Sequence, residues 1–239
     1  VGEIVMKFQL KNLIMSGILL VSVGTSTAVL AGNVTFADPQ PSTPGVCDGG
    51  ISYEWSVNMS GDDRVGLVGH VGAKSWNEPP PAYEPPYTGW THTSNWIALE
   101  LTEPTKLEIK VERQEGVAFQ TTSGMVTARN MLVPALSIYR NWDNTSCEDH
   151  RYNNAGNIDW STVQYIGNQK NRHAKSGISY EVRLPAGQYS IAIGGSPKVL
   201  ETYPANDCDV ADPVCYAYTG RHGYEVYLRT SPVKPKASE

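Results

Sequence analysis

The stretch LELTEPTKLEIKVE at residues 99–112 decides the fold class. Apolar residues alternate with polar or charged ones on both sides of a break at residues 103–105. Successive side chains of a β-strand point to opposite faces, so this period of two predicts two strands, each with one buried and one wet face. The Glu-Pro-Thr break is typical of a turn, and the pair is predicted to form an antiparallel hairpin.

The same alternation recurs along the chain. Residues 180–184 and 189–193 alternate around Pro-Ala-Gly, which predicts a second hairpin, and further strands are expected near 136–139 and at 224–230. No sustained helical periodicity occurs outside the N-terminal apolar run. We therefore predict an all-β protein, a single antiparallel β-sandwich of jelly-roll-like architecture with about eight or more strands.

Two long segments are predicted to be loops. Residues 77–89 contain five prolines, and residues 141–171 are rich in Asn, Asp and Gly. Long loops in a compact domain are more often functional than decorative. If the strands that flank the proline-rich loop paired as a wide hairpin, His70 and His92 would lie close together.

The N-terminal region has the features of a secretory signal peptide. Met6 is followed by Lys7 and Lys11, an apolar run and small residues before a predicted cut after Ala31. Residues 1–5 precede this methionine and are interpreted as a misplaced translation start. No membrane span is expected once the signal has been removed.

The rest of the chain is divided by composition. Residues 32–50 are polar and contain prolines, which is typical of a linker; residues 51–231 carry the β pattern; residues 232–239 form a short tail. The expected location is secreted, periplasmic or on the outer cell surface. The formal net charge of −5 argues against nucleic acid or anionic lipid as partners.

The four cysteines all follow the predicted signal peptide. An even number in an oxidising compartment predicts two disulfide bonds, and four cysteines allow three connectivities. Our preferred pairing joins Cys208 to Cys215 and Cys47 to Cys147.

Two short segments carry the residues most suited to metal chemistry. One contains His70 between glycines, and the other, GWTHTSNW at 89–96, contains Trp90 and His92. Residues two apart on a strand share a face, so Trp90 and His92 would face the same point. His173 lies in a basic stretch, and imidazole suits copper, zinc, iron and nickel alike.

The remaining histidines and the acidic residues give weaker patterns. His150 lies in a loop beside carboxylates, and His222, at the start of the last strand, is interpreted as structural. A Ca²⁺ site is a second metal hypothesis. Its candidate residues are Gly61-Asp62-Asp63, which lack the oxygen ligands at regular spacing, or Asp143, Glu148 and Asp149. The chain lacks the Gly-x-Ser-x-Gly, His-Glu-x-x-His and phosphate-loop motifs, and we do not expect an enzyme.

Residues 69–73, 89–96 and 184–189 resemble segments of the secreted copper(I)-binding proteins of methane-oxidising bacteria, the CorA and MopE type. The resemblance covers about residues 51–230. It implies that two histidines hold Cu(I), with a tryptophan, oxidised to kynurenine, two residues before one of them. The matching positions are Trp90 and His92. The second histidine is His70 or His173, as equal alternatives, with His150 third.

The predicted function is copper acquisition or storage by an exported protein that binds one Cu(I). The expected partners are the copper ion and another protein of the outer surface. The alternative is a metal-free exported β-sandwich that binds a glycan or a surface protein through its Trp, Tyr and Pro residues. The two functions differ in whether His92 is needed for binding.

Overall fold

The computed structural model describes residues 32–36, 53–76, 94–121, 123–142, 162–171, 176–196 and 220–233. These residues form twelve β-strands and no helix. The strands are β1 Asn33–Phe36, β2 Trp55–Met59, β3 Arg64–Gly72, β4 Asn95–Leu101, β5 Thr105–Arg113, β6 Ala118–Thr121, β7 Gly124–Thr127, β8 Pro134–Arg140, β9 Gln164–Lys170, β10 Gly177–Leu184, β11 Gly187–Gly195 and β12 Arg221–Pro232.

Two sheets pack face to face as a sandwich, which confirms the predicted fold class. The first has six strands in the order β1-β2-β4-β11-β8-β9, and the second has four in the order β10-β5-β12-β3. Strands β6 and β7 form a separate hairpin. The described pairs are antiparallel except that β2 runs parallel to β4.

The core lies between the sheets, where the alternating apolar residues of both layers meet. Ile109 and Val111 from the four-stranded sheet and Ile97 and Ile191 from the six-stranded sheet are fully buried there. A second cluster covers the opposite face of the six-stranded sheet and includes Trp96 and Tyr139. Strand β4 is therefore buried on both faces, although its sequence alternates only in part.

Both predicted hairpins are wrong in their pairing, although their strands exist. Strand β4 lies in the six-stranded sheet and β5 in the four-stranded sheet, and β10 and β11 are divided in the same way. The short turns cross from one layer to the other at an end of the sandwich, since each joins the ends of strands that lie in different sheets. This arrangement places the apolar faces of consecutive strands opposite each other across the core, where each buries the other.

Two further expectations are corrected by the strand order. β3 pairs with β12, whereas β4 pairs with β2 and β11, so β3 and β4 do not form a wide hairpin. The predicted loop at 141–171 contains β9, an edge strand that pairs only with β8 among the described strands. The polar composition of β9 led to the prediction of a loop, because an edge strand needs few apolar residues. The loop at 77–89 lies outside the described residues.

Candidate functional site

One end of the sandwich gathers the segments that carry most of the predicted site. β3 ends there at Gly72, β12 begins at Arg221, β4 begins at Asn95 and β9 ends at Lys170. The chain crosses from β3 to the six-stranded sheet at this end, where the Trp76 backbone N–H donates to Gly195 O at 3.0 Å. We call this the loop end of the sandwich.

The predicted residues Trp90, His92 and His173 lie outside the described residues, as do His150 and all four cysteines. In the sequence, His92 is two residues before Ser94, which is buried at the start of β4. His173 is two residues after Asn171, which follows β9. Both neighbours belong to the loop end of the six-stranded sheet.

His70 lies on the outer face of β3, away from the core. Its ring stacks on Phe119 of the β6–β7 hairpin, with the ring centroids 4.1 Å apart and the planes at 29°. Its Nδ1 lies 3.0 Å from Nη1 of Arg221. A guanidinium can only donate, so Nδ1 is the acceptor and the proton of the neutral ring resides on Nε2.

The environment of His70 keeps its imidazole neutral. Burial and the adjacent charge of Arg221 lower the pKa of His70 from 6.5 to about 4. Arg221 stays charged, and the carboxylate of Glu54 opposes the effect of burial on its pKa. The ring is thus a neutral hydrogen-bond acceptor that helps to attach the hairpin to the sheet.

The depressed pKa of His70 predicts a pH dependence of stability. Between pH 6.5 and about 4 the unfolded chain takes up a proton at His70 that the folded chain excludes. The contribution of His70 to the free energy of unfolding is therefore lost as the pH falls. We expect the free energy of unfolding, measured with urea, to decrease from pH 7 to pH 5. The decrease should be smaller in His70→Phe, which keeps a ring against Phe119; equal decreases in the two proteins would contradict the assignment.

His222 is structural, as its sequence position indicated. It is fully buried, and its Nδ1 accepts a hydrogen bond from the backbone N–H of Met131 at 3.0 Å. His70 and His222 are on adjacent strands, but their side chains lie on opposite faces of the four-stranded sheet. The structure does not bring these two histidines together.

Sequence reasoning missed a buried polar group, which lies beneath the loop end. Asn95 Nδ2 donates to the hydroxyl of Tyr224 at 2.9 Å, and Glu54 accepts the backbone N–H of Trp96. Burial raises the pKa of Tyr224 well above its usual value, and the charge of Glu54 raises it further. These contacts join residues far apart in sequence, so no local motif could have indicated them.

At the acidic turn proposed for Ca²⁺, carboxylates accept hydrogen bonds from backbone N–H groups. An oxygen of Asp63 accepts hydrogen bonds from the N–H and the hydroxyl of Ser60, at 2.7 and 3.2 Å. Glu103 accepts the N–H of Gly61 at 2.6 Å. Across the described ranges, no three His, Cys, Asp or Glu side chains cluster as metal ligands would. The other acidic candidates, Asp143, Glu148 and Asp149, lie outside those ranges.

Comparison with solved structures gave matches of low similarity. The surface-associated copper-binding protein CorA of Methylomicrobium album BG8 is 15% identical, with a TM-score of 0.40 over 75% of this chain and 98% of that one. The secreted protein MopE of Methylococcus capsulatus is 13% identical, with a TM-score of 0.37 over 73% of this chain and 86% of that one.

A collagenase domain from Bacillus anthracis, the pre-peptidase C-terminal domain, is 7% identical, with a TM-score of 0.32 over 74% of this chain and 97% of that one. Values this low assign neither a family nor a ligand. The chain matches no protein-family model and no curated protein. Among the described residues, no helix has the length and apolar character needed to cross a membrane.

Proposed function

We propose that this protein is an exported copper-binding protein that holds one Cu(I) at the loop end of its sandwich, for copper acquisition or storage. His92 and His173 supply the two imidazole nitrogens, and Trp90 lies beside them, as tryptophan or as kynurenine. The protein binds its metal as cargo and is not an enzyme.

One contact carries this proposal. The Lys170 ammonium lies 5.9 Å from the ring centroid of Trp76. Trp76 is the last described residue before the segment that contains Trp90 and His92, and Lys170 precedes the segment that contains His173. The described residues that precede these two segments therefore lie side by side. The first segment is followed in the sequence by Ser94, at the same end of the same sheet.

The geometry of His70 favours His173 as the second ligand. The Nδ1 atom of His70 already accepts a hydrogen bond from Arg221, and its Nε2 carries the proton. Binding a metal at either nitrogen would break this hydrogen bond or require a change of tautomer. The positive charge of Arg221 would also repel a copper ion placed there.

Two imidazoles suit the proposed cargo. Imidazole is a good ligand for copper, and two of them in a near-linear arrangement satisfy Cu(I) with a weak third donor. In MopE, an oxidised tryptophan facilitates copper binding. In this chain Trp90 stands two residues before His92, and a ring at that position would keep water from the ion.

Anaerobic titration of the full chain with Cu(I), in competition with a coloured chelator, tests the proposal. We expect one equivalent to bind, and His92→Ala or His173→Ala to weaken binding by at least about a hundredfold, because each removes one of two ligands. His70→Ala should retain the wild-type affinity. His150→Ala is the matched control, since the described strand ends on either side of its segment, Arg140 and Gln164, lie at the opposite end of the sandwich.

Each other outcome has a definite meaning. Loss of binding in His70→Ala but not in His173→Ala would overturn the assignment of the second ligand. A wild-type chain that takes up no Cu(I) would overturn the copper function. The metal-free binding module would then be the better account, with its Trp, Tyr and Pro residues as the contact surface.

A further inference from the structure

The outer face of the four-stranded sheet carries a groove that the copper site does not use. It has a volume of about 400 Å³ and runs across β3, β12 and β5. Its side chains combine one aromatic ring with charges of both signs. They are Arg64, Glu108, Lys110, Glu225, Tyr227 and Arg229.

Two arginines are placed together at this groove. Arg64 and Arg229 are direct partners in the β3–β12 ladder, so both side chains leave the same face about 5 Å apart at Cβ. Like charges opposite each other are unfavourable. Within the described residues neither arginine forms an ion pair, whereas Lys106 pairs with Glu181 and Lys110 with Glu112 on the same face.

Beside the arginines, Tyr227 presents a fixed aromatic surface. Its side chain is 41% exposed on the outer face of the sheet. Its ring lies against Gly66, 3.7 Å from where a Cβ would stand, and its hydroxyl donates to Glu225. This hydrogen bond, together with burial and the charges of Glu225 and Glu112, raises the pKa of Tyr227 to about 12. The ring is thus held in place and exposed to a ligand.

We propose that this groove binds an acidic sugar, a uronate unit of an anionic polysaccharide. The sugar ring stacks on Tyr227, and its carboxylate bridges Arg64 and Arg229. Glu108 stands opposite Arg229 on β5, but neither arginine is ion-paired among the described residues. Glu108 and Glu225 accept hydrogen bonds from the sugar hydroxyls. A bare inorganic anion would gain nothing from these carboxylates or from the ring, so the mixed lining favours the acidic sugar.

Calorimetric titration of the full chain with tetragalacturonate tests this site. We expect Arg64→Gln, Arg229→Gln and Tyr227→Ala each to weaken binding by about tenfold or more, since each removes a charge-assisted hydrogen bond or the stacking surface. Arg183→Gln is the matched control, because Arg183 is exposed on the same sheet but outside the groove. His92→Ala should bind the sugar normally, which separates this site from the copper proposal.

Three results would overturn the inference. The first is absence of binding to the wild-type chain. The second is equal affinity for neutral maltotetraose, which would exclude a role for the arginines. The third is equal binding of inorganic sulfate together with no effect of Tyr227→Ala, which would describe a simple anion site. The side chains of Arg64, Arg183, Tyr227 and Arg229 are exposed, so loss of folding is not expected to obscure the result.

Discussion

Replacing Gly195 with alanine is expected to destabilise the protein by about 3 kcal/mol or more. A Cβ at this position would overlap the carbonyl group of Ala73 and lie 2.8 Å from the oxygen of Gly72. These are backbone atoms and cannot rotate away. To relieve this overlap, the backbone at Gly195 would have to move. That movement would also break two hydrogen bonds, from Trp76 N–H to Gly195 O and from Gly195 N–H to Ser75 Oγ, each 3.0 Å.

Gly66→Ala is the matched control for this substitution. Gly66 is also a strand glycine, but the nearest atom to its Cβ position is 3.7 Å away, an ordinary contact. We expect the free energy of unfolding of Gly66→Ala to be unchanged or slightly raised, because alanine reduces the conformational freedom of the unfolded chain. Urea denaturation of both variants gives the comparison. Similar stability of the two variants would contradict the close approach of Gly195 to the carbonyl group of Ala73.

Replacing Trp96 with alanine is expected to cost about 3–5 kcal/mol. Trp96 is fully buried on the outer side of the six-stranded sheet, with its ring 5.7 Å from that of Tyr139. Its indole N–H donates to Ser94 Oγ at 3.2 Å, so the change removes packing and a hydrogen bond together. For a domain of this size the loss corresponds to a fall of about 10 °C in Tm.

Met125→Ala provides the control for Trp96→Ala. Met125 is apolar but 65% exposed on the β6–β7 hairpin, and its truncation should change the stability by less than about 0.5 kcal/mol. Thermal unfolding followed by circular dichroism measures both variants. A Trp96→Ala protein as stable as Met125→Ala would mean that the second cluster is not a true core.

The strands could be predicted from the sequence where burial is one-sided. Residues 105–113 and 177–184 alternate because one face meets the core and the other meets water, and both segments are strands in the structure. Their partners could not be predicted. A short turn such as 103–105 has the same sequence signal whether the chain returns in the same sheet or crosses to the opposite one, and here it crosses.

At the candidate site, too, the partners of a residue could not be predicted from the sequence. Arg221 contacts His70 across 151 positions of sequence, and it is this contact that occupies the imidazole of His70. The residues next to His70 in the sequence do not indicate the guanidinium of Arg221, and the sequence analysis placed His70 among the candidate metal ligands. His222 was correctly interpreted as structural, but its acceptor role toward Met131 depends on a loop that the strand pattern does not predict.

Placing the copper ion at the loop end has a chemical consequence. The ligands proposed are two neutral imidazoles, which must be unprotonated to bind, so Cu(I) affinity should decrease as the pH falls through the ordinary range of histidine. The proposed donor set contains no sulfur, which would distinguish it from a copper site built on cysteine or methionine.

X-ray absorption at the copper edge of the Cu(I)-loaded full chain tests the proposed copper site. We expect one copper per chain with two nitrogen donors from imidazole rings and no sulfur. A copper ion that is lost on gel filtration, or one whose spectrum requires sulfur ligands, would contradict it.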